Sequence, residues 1–252
     1  MIRAQLGFYF LGDYFQSPFD TGLFNNLEPK PTSIEKTKPE SPSLLLFGSV
    51  SFLTAAAVLV VILALLGSLN TASVIVMILS FLFYIVLVVP GISLDLSSVG
   101  EIISSIILVV IPPALAFLLQ MGAFHRLLSL GVFPLFPLNL AMILVLRLKR
   151  YRDDLARNRK TLLVRLGWVQ GVFIHNLLVF SGFFLFGLSL FFGMPFRIIG
   201  PVFIVIPAGI FLIWYLSNLE DGAPVRWPLI TLLSLVVFFL PAYLITYSIW
   251  IR

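Results

Sequence analysis

The chain has 252 residues, of which 60% are hydrophobic and 11% charged, and its mean hydropathy is +1.10. Soluble domains carry about a quarter charged residues, so this composition excludes a soluble globular domain and indicates an integral membrane protein. The absence of cysteine excludes disulfides and thiolate metal sites, and most of the +5 net charge sits in one loop, where it speaks to membrane orientation rather than to nucleic acid.

In chain order, residues 1–12 are apolar but too short to cross a bilayer, and they read as the end of a helix whose start is missing. Asp13 and aromatics follow them instead of a small-residue cleavage site, so they do not read as a signal peptide. Residues 23–43 are polar and rich in proline and predict a flexible loop or interfacial lid. Seven segments then reach the roughly 20 apolar residues that a helix needs to span. They lie near 44–67, 72–90, 102–120, 127–147, 169–192, 197–217 and 227–250. Backbone groups in lipid must be satisfied within the segment or in a closed barrel. Continuous apolar runs without period-2 alternation favour helices. The expectation is therefore an all-α integral membrane protein, a single domain over 1–252 with about seven full spans plus a partial N-terminal helix. Pro112, Pro113, Pro134, Pro137, Pro201 and Pro207 each remove a helical donor and predict kinks.

Orientation follows from lysine and arginine. Lys30, Lys36 and Lys38 lie in the first loop, and Lys149, Arg150, Arg152, Arg157, Arg159, Lys160 and Arg165 lie in the loop before residue 169. Four spans separate these loops, so both emerge on one face, with Arg226 on the same side. The positive-inside rule makes that face cytoplasmic, and the cell membrane is the expected location. The acids fall on or near it too: Asp13 and Asp20 after the first helix, Asp153 and Asp154 in the basic loop, and Asp95, Glu101, Glu220 and Asp221 in the remaining loops. Mg²⁺ suits such oxygens, because it takes one or two carboxylates, keeps waters and bridges to substrate phosphates. Solvated loop carboxylates and a basic loop that only sets topology are the plain alternative.

Two segments carry a resemblance. Gly12-Asp-Tyr-Phe-Gln-Ser-Pro-Phe-Asp-Thr-Gly22 and Asp154-Leu-Ala-Arg-Asn-Arg-Lys-Thr-Leu-Leu-Val-Arg-Leu-Gly167 resemble the first and second motifs of the UbiA prenyltransferase superfamily, the latter especially in its quinone-forming branch. The layout is similar as well, with four spans between the motifs and three after them. The resemblance implies a helical bundle around a central cavity. It implies Asp13, Asp20, Asp154 and the adjacent Asp153 as Mg²⁺ ligands, the first three of them catalytic. It implies a polyprenyl diphosphate donor and a lipophilic or aromatic acceptor. Developing charge on a leaving diphosphate is stabilised by metal and basic side chains, and an apolar cavity keeps water from the allylic cation.

The match has gaps. Gly12 and Gln16 stand where the family has Asn and Asp, and Arg150 stands where the earlier acid of the second motif belongs. One reading has Lys149, Arg150, Arg159 and Lys160 neutralise the diphosphate directly. The other is a non-catalytic protein on the same scaffold that binds an isoprenoid or anionic lipid. A transporter is disfavoured, since the spans carry almost no charged pairs and no half-to-half repeat.

Other polar residues read more plainly. His175 and Asn176 fit a bond to a neighbouring helix or a cavity lining. Asn139 fits the cavity or a carbonyl freed by Pro137, and His125 fits the interface. Phe183, Phe184, Phe191 and Phe192 read as packing or lipid-facing residues. Trp214, Trp227 and Trp250 read as an interfacial belt. No P-loop, zinc-spaced histidines, serine elbow or dinucleotide fingerprint is present, no basic–aromatic pattern for nucleic acid occurs, and no protein partner can be inferred.

Overall fold

The structure is a computed structural model that describes residues 6–8, 10–11, 42–88, 97–156, 161–220 and 225–251. Among these the fold is all-α, with seven helices long and apolar enough to cross a membrane. The expected spans are met within a few residues at each end. Asp13, Gln16, Asp20, Arg159 and Lys160 lie outside the described residues, as does most of the 23–43 loop; its last two residues already belong to the first long helix.

The chain divides into two compact units, Met1–Leu94 and Asp95–Arg252. The first holds α1 (Pro42–Leu65) and α2 (Thr71–Val88). Gly67, in the left-handed region at φ 67°, ends the turn after α1. Asn70 then caps α2 reciprocally: its Oδ1 accepts from Ser73 N at 2.7 Å, and Ser73 Oγ accepts from Asn70 N at 3.0 Å. Residues 6–8 and 10–11 are helical and pack on both spans. Phe8 stacks on Tyr84 at 4.8 Å, and Phe10 stacks on Phe52 at 5.8 Å. Only 11% of α1 and 17% of α2 is buried. Helices apolar all round with this little burial face lipid or further apolar surface.

The second unit holds five spans, four of them around a central one. The span Arg126–Lys149 is 61% buried, whereas each of the other four is 33% buried. It consists of α5 (Arg126–Val132) and α6 (Leu135–Lys149). Packed against α6 are α3 (Ser98–Ser105), α9 (Trp168–Phe191) and α12 (Trp227–Trp250). Leu144 and Val145 of α6 meet Phe186, Leu212, Leu216 and Ile230 in a fully buried core. Without a hydrophobic drive between helices in lipid, small residues and side-chain hydrogen bonds set the crossings. Gly182 on α9 has no room for a side chain: a Cβ there would lie 2.5 Å from Leu138 and 3.3 Å from the Pro134 carbonyl. Ser189 donates across to Leu130 O at 3.0 Å.

The prolines act locally and in different ways. Pro112 and Pro113 open α4 (Ile111–Met121), and the missing donors widen the preceding turn, Ile106–Val110, into a π-helix. Pro201 lies in a 3₁₀ stretch, Gly200–Val205, that joins α10 (Phe196–Ile199) to α11 (Ile206–Glu220). Pro134 sits at the break between α5 and α6. Pro241 lies inside α12 without ending it.

Candidate functional site

The basic segment after α6 is not an open loop, as the sequence suggested, but two short helices with Arg157–Lys160 between them outside the described residues. Lys149 ends α6, whose last turn carries Arg147 and Lys149, where cations favour the helix dipole. Arg150 leaves the helical conformation, and α7 (Tyr151–Ala156) begins with Asp153 and Asp154 in its first turn. Then α8 (Leu162–Leu166) is capped by Thr161, whose Oγ1 accepts from Val164 N at 3.3 Å. Gly167 closes α8 and turns the chain directly into α9 at φ 84°, a conformation that favours glycine. The Thr-Leu-Leu-Val-Arg-Leu-Gly tail thus has a physical explanation: Thr161 caps, Leu163 fills the core at 0% exposure, and Gly167 turns.

Charge is drawn inward at this end. Glu101 in the first turn of α3 was expected in a loop, but it is buried at 1% exposure. Helix α3 starts at Ser98 with Ser97 as its cap, which carries Glu101 one turn into the bundle. Its Oε1 lies 3.1 Å from Arg147 Nε, and its Oε2 accepts from Leu162 N at 3.3 Å. One carboxylate therefore joins α3 to the end of α6 and satisfies an otherwise orphaned first-turn donor of α8. Asp154 on α7, also 1% exposed, is close enough to repel the Glu101 carboxylate. Around this centre Tyr151 packs edge-on to Trp168 at 5.9 Å, and Trp168 edge-on to Trp227 at 6.4 Å.

The expected site residues are distributed unevenly. Asp154 joins the buried cluster. Asp153, the next residue on the same helix, is exposed, because successive helix positions point about 100° apart. Lys149 and Arg150 are exposed beside the half-buried Arg147. Among the described residues no three His, Cys, Asp or Glu side chains form a group able to hold a metal ion. Glu101 already has the Arg147 cation as its partner, and a guanidinium repels a divalent ion. The described residues alone do not fit Mg²⁺, whose expected site also draws on Asp13 and Asp20. Sequence reasoning missed Glu101 and Arg147. The available signal was their shared rarity: an acid and an arginine at the ends of two apolar runs on the same side.

Elsewhere in the second unit the polar groups have structural partners or lie in dry surroundings. His175 is fully buried and donates from Nδ1 to Asn176 Oδ1 at 3.0 Å. Asn176 donates to Ser217 Oγ at 3.1 Å, which in turn donates to Ile213 O at 3.0 Å. The bond to a neighbouring helix expected of this pair is thus present. Asn139 is fully buried in α6, with neither amide atom hydrogen-bonded, so it does not repair a carbonyl freed by Pro137. His125 caps α5 by accepting from Leu127 N at 3.1 Å, and the Arg126 guanidinium donates to Phe192 O. A cavity of about 290 Å³ opens at this opposite end, between Leu108, Pro113, Leu128, Leu135, Phe238 and Ile249. It has no charged residue in its lining and offers a diphosphate nothing to bind.

No family model, curated protein or solved structure matches the chain.

Proposed function

We propose that this protein is a membrane-embedded prenyltransferase of the UbiA kind, with its diphosphate-binding site at the basic end of the second unit and that end facing the cytoplasm. The observation that carries the reading is the burial of Asp154, the acid of the second motif, near Glu101 and Arg147, the one place among the described residues where the bundle takes charge into its interior. Charge at the end of apolar spans is expensive, so a buried ionisable cluster there supports a functional site. Lys149 and Arg150 stand outside the cluster as a first contact for an anion, and Arg159 and Lys160 add to the same basic segment. The reaction breaks the bond between the allylic carbon and the diphosphate oxygen. The diphosphate leaves with the bonding electrons, the acceptor's carbon or oxygen forms the new bond, and the acceptor's proton is lost to solvent. Basic side chains oppose the charge that builds on the leaving oxygen. Surrounding lipid and apolar helices suit a donor whose tail is itself lipid-like.

A second reading keeps the scaffold without the chemistry, as a protein that binds an isoprenoid or anionic lipid. It is favoured by the 1% exposure of both Glu101 and Asp154, which fits a structural staple as well as a site. Purified protein in detergent, given labelled farnesyl or geranylgeranyl diphosphate with and without Mg²⁺, separates the two. The enzyme releases diphosphate, and Asp13→Ala and Asp154→Ala each reduce release by about a hundredfold or more, the scale of losing one charge-stabilising group. Donor binding without release, or variants equal to wild type, would decide for the second reading.

A further inference from the structure

We propose that Arg147 is an anion-binding side chain held in reserve by Glu101, and that an arriving diphosphate replaces the Glu101 carboxylate on its guanidinium. The inference rests on the diphosphate reading above and adds to it two residues that the motifs do not contain.

The geometry separates this arginine from its basic neighbours. Lys149 and Arg150 are exposed, so their charges are screened by water and salt. Arg147 is 17% exposed at the side chain, with Nε turned inward to Glu101 at 3.1 Å. It is therefore drawn into the cluster yet still partly open to water at the end of α6. A cation in such partly dry surroundings grips an anion more strongly than an exposed one, and a guanidinium offers phosphate oxygens paired donors that an ammonium lacks. Without an anion, however, that cation at the end of an apolar bundle needs a counter-charge. Glu101 supplies it.

The same carboxylate is suited to let go. Its other oxygen is bonded to Leu162 N, so it stays anchored to α8 when Arg147 turns away. Asp154, a second acid that is 1% exposed at this end of the bundle, acts on Glu101 as a like charge. Repulsion between the two acids makes the Glu101–Arg147 pair easier to exchange for a phosphate that brings its own solvated charge.

A role confined to structure and a role in exchange predict opposite signs. Glutamine at 101 keeps the shape and the acceptor for Leu162 N but removes the charge that competes with diphosphate. Binding of inorganic pyrophosphate is measured by titration calorimetry on the full chain in detergent, with wild type, Glu101→Gln and the double variant Glu101→Gln/Arg147→Gln. The double variant exchanges an ion pair for an amide pair and serves as a second folded background if the single one unfolds. Exchange predicts that Glu101→Gln binds on the order of tenfold more tightly than wild type, equivalent to 1.4 kcal/mol, and that the double variant binds more weakly than wild type. The gain persists in phosphatidylcholine nanodiscs, where no anionic headgroup is present.

Equal or weaker binding by Glu101→Gln, with wild type still binding, overturns the exchange and leaves the diphosphate reading standing. A double variant as tight as wild type also overturns it. No binding by any of the three removes both. A gain confined to phosphatidylglycerol in the discs, with none for pyrophosphate, assigns the arginine to lipid headgroups and overturns the proposal.

Discussion

Replacing Arg147 by methionine removes the cation paired with the Glu101 carboxylate, which is 1% exposed. Methionine keeps most of the apolar stem, so little packing is lost. Breaking a buried pair by deleting one partner costs about 3–5 kcal/mol, because the remaining charge is left uncompensated. The Arg147 side chain is 17% exposed, so water reaches the gap, and the expected loss falls at the lower end, about 3 kcal/mol. The Glu101→Gln/Arg147→Met variant removes the stranded charge at 101 while keeping the acceptor for Leu162 N. It should recover a good part of that loss, since the penalty lies in the unpaired ion rather than in the missing contact. Lys149→Met, on the same turn but exposed, should unfold close to wild type. Unfolding in mixed micelles by stepwise addition of dodecyl sulfate, followed by tryptophan fluorescence, measures all three. The reasoning is refuted if Arg147→Met stays within about 1 kcal/mol of wild type, or if the double variant is less stable than Arg147→Met alone.

Other consequences test the packing that holds this centre. Gly182→Ala drives a Cβ to 2.5 Å from Leu138 with the Pro134 carbonyl behind it, and it should destabilise by about 1–3 kcal/mol despite alanine's better helix propensity. Gly187→Ala on the same helix meets nothing within 4 Å and should be neutral or gain up to about 1 kcal/mol in the same unfolding assay. Gly167→Ala forces a Cβ onto a backbone at φ 84° in the turn from α8 to α9, and it should cost about 1–3 kcal/mol even though the space around it is open. Ser189→Ala removes the donor to Leu130 O and should cost about 0.6 kcal/mol, the average for side-chain bonds between membrane helices.

What the sequence made legible was what composition and length control. The seven spans follow from runs of apolar residues; in the structure Gly67, Gly122 and Gly193, each at positive φ, close three of them. The bond from Asn176 to a neighbouring helix was readable, because an amide among apolar helices gains from a partner across the interface. Two kinds of fact were not readable. One is the fine effect of proline: Pro112 and Pro113 widen the turn ahead of them, whereas Pro241 sits within a continuous helix, and which outcome holds depends on the neighbouring helices. The other is charge at a span end. Glu101 looked like a solvated loop acid because the apolar run begins just after it, near residue 102, and only tertiary packing brings Arg147 and Leu162 to it across 46 and 61 residues of chain. For the same reason a charge-dense stretch such as 149–166 reads as loop, although Asp154 and Leu163 lie in the interior.

Transfer of a prenyl group is the step on which the proposed function depends. Wild-type protein in detergent is incubated with ¹³C-labelled geranylgeranyl diphosphate and a total membrane lipid extract, and both diphosphate and ¹³C-containing apolar products are quantified by mass spectrometry. The account predicts a new lipid heavier by one prenyl group, formed one for one with diphosphate and lost in Asp154→Ala. Labelled donor recovered intact, or diphosphate accompanied only by the free prenyl alcohol, would contradict it.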